Sequence, residues 1–215
     1  MKRIISVLLL IALCTLAFVS CGPEEIETRV GYFTSGDNGY FFTPAGVLKV
    51  TADGATATTY TYENGTYTID GATVADADLV AASFTAPAES DSFTYTERSG
   101  KKYISGLTDA GKAQAILYAP ANCAGIEEGA LAEGTAKVFI IGAMTSFNVG
   151  NGAFKGTSSL SVYIDGANTT TAITCGKDML KDTTGVTLYV GASAYGNFKD
   201  DYTWGVFSSN IKKYQ

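Results

Sequence analysis

The sequence predicts an all-β protein, in the first instance an antiparallel β-sandwich, with a closed β-barrel as the alternative. Three observations predict it. Short runs of alternating Thr, Tyr, Phe, Val and Ile recur along the chain with turn residues between them. Glycine is abundant and proline scarce, 24 against 4 in 215 residues, which suits strands and tight turns better than helices. Only "TDAGKAQAILYA" (108–119) carries a helical pattern, with Thr108 or Asp109 as cap and Pro120 as stop.

The first element is a leader. Met1-Lys2-Arg3 is followed by an apolar run from Ile4 to Val19, and Gly22-Pro23-Glu24-Glu25 stops that run short of a spanning length. The junction Phe18-Val19-Ser20-Cys21 resembles the bacterial lipobox, with Phe18 where leucine is usual. The resemblance implies that residues 1–20 are a lipoprotein signal peptide and that Cys21 becomes the lipidated N-terminus. Acyl chains there would anchor the protein, each buried methylene contributing about 0.8 kcal/mol. Gly22 rather than Asp after that cysteine implies, by the family's sorting rule, a bacterial cell envelope protein held at the outer membrane. Residues 21–29 then read as a lipidated tether and 30–215 as a single all-β domain.

From Val30 onward the pattern is one of strands. "VGYF", "YFFT" and "GVLKV" come first. "TTYTYENGTYTI" alternates Thr and Tyr about Asn64-Gly65, and "SFTYTERSGKKYIS" does the same about Ser99-Gly100. Both dipeptides tolerate positive φ and mark two-residue hairpins. "VADADLVAASFTAPAESDS" reads as a long loop. "AKVFIIGA", "SLSVYIDG", "VTLYVGA" and "YTWGVF" complete the strands, and no fixed-period repeat stands out.

From Cys21 on there are 13 basic and 21 acidic residues, a net charge of −8. Such a chain is a poor partner for nucleic acid or for anionic lipid surfaces. The absence of histidine removes the commonest general base and the Ser-His and Cys-His dyads. Ser99–Lys102 and Ser209–Lys212 match SxxK but fall at a hairpin and near the chain end. Gly106–Lys112 matches the phosphate-loop pattern, yet Ala113 stands where the magnesium-binding hydroxyl belongs. No nucleotide is expected. The acid groups Glu127-Glu128, Asp76 with Asp78 and Asp200-Asp201 sit in predicted turns, where solvated carboxylates are the default. "SGDNGY" and "FKDDY" offer oxygen ligands without the spacing of a calcium loop. The expectation is therefore no cofactor, no metal and no enzyme.

Cys123 and Cys175 remain after the leader cysteines, and an even pair in an oxidising compartment predicts a disulfide, with two buried free thiols as the alternative. The turn aromatics Tyr40, Tyr195, Phe198, Tyr202 and Trp204 are the candidates for function. In "YGNFKDDYTW", Tyr195, Tyr202 and Trp204 could stack on sugar faces while Asn197, Asp200 and Asp201 bond hydroxyls. The competing reading places Trp204 in the core of a final strand.

The C-terminal quarter, "SLSVYIDGANTT" and "VTLYVGASAYGNFKDDYTWGVFSSNIKKY", resembles the ending of concanavalin-like, laminin-G-type jelly rolls through Tyr163, Asp165, Gly166, the run Leu188–Ala192, Gly205, Ile211 and Tyr214. No ExDxE motif of the related glucanases accompanies it, so the resemblance implies binding rather than cleavage. The hairpins at 58–69 and 92–105 resemble instead a lipocalin-like meander. The function expected is a non-enzymatic binding module whose partner is a saccharide, host matrix or another surface protein. The alternatives are a barrel-type carrier of a small apolar ligand and a structural envelope protein.

Overall fold

The computed structural model describes residues 29–214; the expected signal peptide, Cys21 and the expected tether up to residue 28 lie outside the described residues. Strands β1 (Gly31–Ser35), β2 (Asn38–Thr43), β3 (Gly46–Thr51) and β4 (Gly54–Thr58) form an antiparallel meander. Strands β5 (Tyr60–Glu63), β6 (Thr66–Ile69) and β7 (Ala72–Ala75) form a second one. A short β8 (Val80–Ala81) returns to β1, giving a first sheet ordered β4-β3-β2-β1-β8. The turn Asn64-Gly65 has φ of 51° and 75°, and Asp70-Gly71 repeats those values, the left-handed pair that lets a hairpin twist with its strands.

Strands β9 (Phe93–Arg98) and β10 (Lys101–Leu107) form the hairpin about Ser99-Gly100. The expected helix is a single turn, Asp109–Lys112, capped by the Thr108 hydroxyl, which accepts from Gly111 N–H at 3.1 Å. It stops short because the chain soon enters β11 (Ile116–Tyr118), whose side chains are buried on both faces of a sheet.

From β11 the chain changes character. Strands β12 (Cys123–Ile126), β13 (Val138–Ile141), β14 (Phe147–Val149), β15 (Ser161–Ile164), β16 (Ile173–Cys175), β17 (Thr187–Gly191) and β18 (Ile211–Tyr214) pair in parallel, in two alternating stacks. One sheet is β11-β13-β15-β17-β18 and the other β16-β14-β12-β10-β9. Val138 lies beside Ile116, Ser161 beside Val138, Thr187 beside Ser161 and Ile211 beside Leu188, so the chain winds as a solenoid with a repeat of about 23 residues. Corner turns stack as well: Gly129 N–H donates to Gly152 O at 2.9 Å and Gly152 N–H to Asp178 O at 2.8 Å. Gly152, at φ 61°, adopts there a conformation that side chains resist.

The four sheets lie in layers. Alternation along β2 sends Phe41 to one face and Tyr40 and Phe42 to the other. Phe42 packs with Tyr67 and Ile69 of the three-stranded sheet, while Phe41 and Leu48 meet Ile140 and Tyr163 of the β11–β18 sheet. The far face of that sheet, Leu117, Phe139 and Leu188, closes on Ile104, Ile126 and Phe147 across the main core. The all-β class and the layered sandwich are as expected, and no sheet closes into a barrel among the described residues. The pairing is antiparallel in the first half and parallel in the second. There β13 reads Val-Phe-Ile-Ile with every residue buried, as a strand covered on both faces must.

Candidate functional site

The segment carrying the expected saccharide contacts is the solenoid's C-terminal cap. A helix covers Tyr195–Asp200 and a 3-10 turn covers Trp204–Phe207. Phe198 is fully buried and Trp204 is 1% exposed, their rings edge to face at 5.0 Å. The indole N–H donates to the Ile173 carbonyl at 2.8 Å. Trp204 therefore plugs the end of the main core, a correction to its place among sugar-stacking groups. Asp201 serves the same cap: its Oδ1 accepts from the amides of Thr203 (2.8 Å) and Trp204 (3.0 Å). Those bonds, Trp204's foremost, hold its carboxyl below the usual range. Tyr195 is half-buried and its hydroxyl accepts from Lys199 at 3.1 Å. Asn197, Asp200 and Tyr202 remain in solvent, Tyr202 with 98% exposure. Tyr40, the other turn aromatic, is core.

Cys123 and Cys175 are free and buried. They lie on β12 and β16 with β14 between them, a lateral separation of about 10 Å against a disulfide's reach of about 7 Å. The expected bridge is not formed. Burial pushes the Cys123 thiol to about 11 and the Cys175 thiol to about 12. Of the acid groups, Glu127 holds Arg98 at 2.6 Å and Thr96 at 2.8 Å, Glu128 holds Lys155 at 2.7 Å, and Asp76 pairs with Arg29. No cluster of three or more His, Cys, Asp or Glu suited to a metal occurs among the described residues.

What sequence reasoning missed is a groove of about 510 Å³ where the first meander meets the ends of β15, β17 and β18. Tyr32 and Tyr214, both half-buried, stand on its walls, and Gly166, Ala167, Ala192 and Ser193 supply much of the rest. Its base is firm. Buried Asp165 accepts from Phe84 N–H and Ala167 N–H, each at 2.8 Å. Ser193 donates to Gly166 O at 2.8 Å and Tyr214 to Ile164 O at 3.3 Å. Gly166 and Gly191 touch backbone to backbone: a Cβ on Gly191 would lie 2.6 Å from Gly166 Cα. Burial raises the Tyr214 phenol strongly, with Asp165 adding to it, so the ring stays a neutral hydrogen-bonding group. Its volume falls in the range of small-ligand sites. In the sequence Tyr214, Asp165, Gly166 and the run through Ala192 stand out only through the jelly-roll resemblance and Tyr32 only within a strand, and the other lining residues are too small to signal a site.

Fold and groove thus define a layered all-β protein built of an antiparallel meander on a parallel solenoid. No protein-family model matches the chain, and no curated protein or solved structure matches it either.

Proposed function

We propose that the protein is an exported, non-enzymatic binding module of the bacterial cell envelope, anchored at the outer membrane by lipid on Cys21, and that it takes a saccharide in the groove between β1 and the ends of β15, β17 and β18. The leader and its Ser20-Cys21 junction support the address. The observation that carries the ligand class is the pairing of two tyrosine rings, packed on the core but partly exposed along the groove, with hydroxyl and backbone groups. Flat rings cover the apolar faces of a sugar, and fixed polar groups meet its hydroxyls. The carrier reading loses its motive, because it depended on a closed barrel. Asn197, Asp200 and Tyr202 stay in solvent on the cap that follows Ser193 and are not among the groove's lining residues.

Two measurements test this. Labelled palmitate is expected in the wild type and not in Cys21→Ser, which should leave the membrane fraction; a cleaved Cys21→Ser that stays membrane-bound overturns the address. On a glycan array the wild type should be retained and Ser193→Trp, which fills the groove, should not. An array on which the wild type binds nothing removes the saccharide and leaves the structural envelope role.

A further inference from the structure

The edge of the β11–β18 sheet offers hydrogen bonds that the fold does not use. Val138 N–H donates to Ala115 O at 3.1 Å and Ala119 N–H to Ile140 O at 2.8 Å. With Ile116 beside Val138 and Tyr118 beside Ile140, the alternation of a parallel ladder turns the peptide groups of Leu117 toward β13. Those of Ile116 and Tyr118 point the other way. Since β11 ends its sheet, these four backbone groups face a groove of about 440 Å³. Across it stands β4, the end strand of the meander sheet. An unpaired strand edge is a template for another strand.

The groove is pre-formed. Its third wall, Glu89–Ser92, is pinned by hydrogen bonds to successive carbonyls. Tyr118 Oη donates to Glu89 O (3.0 Å), Tyr95 Oη to Ser90 O (2.7 Å), Thr108 Oγ1 to Asp91 O (2.7 Å) and Thr108 N–H to Ser92 O (3.0 Å). Gly111 is packed so closely behind this wall that a Cβ would fall 1.9 Å from Ser92 O. A wall held this way takes a ligand without the cost of ordering it first. On the opposite side Ala55 and Ala57 keep the space open by their small size. The charge is one-sided: Asp53, Glu89 and Asp91 line the groove, and no lysine or arginine does. Only Glu89 has a cationic neighbour, Lys102 at 3.7 Å, among the described residues.

We propose that this groove is a strand-acceptor site for a partner polypeptide. An extended basic segment would pair with the peptide groups of Ile116 and Tyr118, set small apolar side chains against Ala55 and Ala57, and direct Lys or Arg to Asp53 and Asp91. Main-chain pairing gives such a contact its affinity and the alternate side chains its selectivity. The site shares no lining residue with the saccharide groove, so either can fail without the other.

The test uses the full-length protein in detergent on an array of nine-residue peptides that alternate Val or Thr with Lys, beside the same peptides with Glu for Lys. Lys peptides should be retained about tenfold more than Glu peptides. Amide exchange at Ile116 and Tyr118 should slow about tenfold on binding, while β18 is unchanged. Ala55→Trp should abolish both effects. Asp53→Lys, at an exposed turn and safe for folding, should remove the preference for Lys. The proposal is overturned if no Lys peptide is retained, if a retained peptide leaves Ile116 and Tyr118 exchange unchanged, or if Asp53→Lys keeps the charge preference.

Discussion

Trp204→Ala separates a plug from a binding surface. Trp204 is the chain's single tryptophan and is 1% exposed. Truncating a buried Trp costs about 3–5 kcal/mol. The lost edge-to-face pair with Phe198 at 5.0 Å and the orphaned Ile173 carbonyl, now bonded at 2.8 Å, place this site at the upper end of that range. A change of about 4–5 kcal/mol is about a quarter or more of the stability of an ordinary domain. For a domain of this length it corresponds to a fall in Tm of about 8–20 °C. Thermal unfolding followed by far-UV circular dichroism reads it directly. The control is Tyr202→Ala, which touches solvent and should stay within about 0.5 kcal/mol of wild type. In the wild type, tryptophan emission should be blue-shifted and move to the red in the same transition. A Trp204→Ala protein that melts within 2 °C of wild type would refute the plug and return the residue to the surface.

The remaining predictions concern the thiols and one glycine contact. Native protein should react with alkylating reagents at neither Cys123 nor Cys175 until it unfolds, when both modify; an intact disulfide by mass spectrometry would contradict the placement of β14 between them. Those thiols, at about 11 and about 12 when folded, titrate at a lower pH once unfolded. Above about pH 9 the unfolded state therefore binds fewer protons, and stability must fall with rising pH until the folded values are passed. Tyr95, raised by burial to about 12, extends the same loss. Tm against pH should decline from about pH 9, less steeply at its onset in Cys123→Ala/Cys175→Ala; a flat alkaline profile would oppose it. Gly191→Ala, which forces a methyl group onto Gly166, should destabilise by about 1–3 kcal/mol, measured by urea unfolding, whereas Gly196→Ala, with open space around it, should not.

The local turns were legible. Asn64-Gly65 and Ser99-Gly100 have the positive φ their residues suggested, because a two-residue hairpin needs little beyond its own sequence. The solenoid was not. Its corners read Gly129-Ala130-Leu131, Gly152-Ala153-Phe154 and Asp178-Met179-Leu180, a shared small-or-acidic start followed by apolar residues that are buried except for the partly buried Leu180. The spacing drifts by a few residues between coils, since loops lengthen without disturbing the backbone ladders. A continuous buried strand such as Val138–Ile141 was the available sign of parallel pairing. Tyr195–Trp204 misled for a related reason: a solenoid end must be closed with large apolar rings inside and polar groups outside, and that composition is also the composition of a sugar site.

Layering also explains why the two grooves left so faint a trace. The sheet β11–β18 spends one face on the main core and the other on Phe41 and Leu48. The meander sheet spends its second face on Tyr67 and Ile69. Large side chains on these strands are thereby consumed by packing, which is where most of the conspicuous residues went. On the readings proposed above, ligand contact falls to the margins between layers, where strand ends and unpaired edges present peptide groups. The residues there are small because the space is the feature: Ala55 and Ala57 on one margin, Gly166, Ala192 and Ser193 on the other. A peptide group recognises its partner whatever side chain it carries, so a site made chiefly of backbone has no motif to find. Burial of the aromatics and openness at the alanines and glycines are two consequences of one packing scheme, and enlarging Ala55 or Ser193 tests them separately.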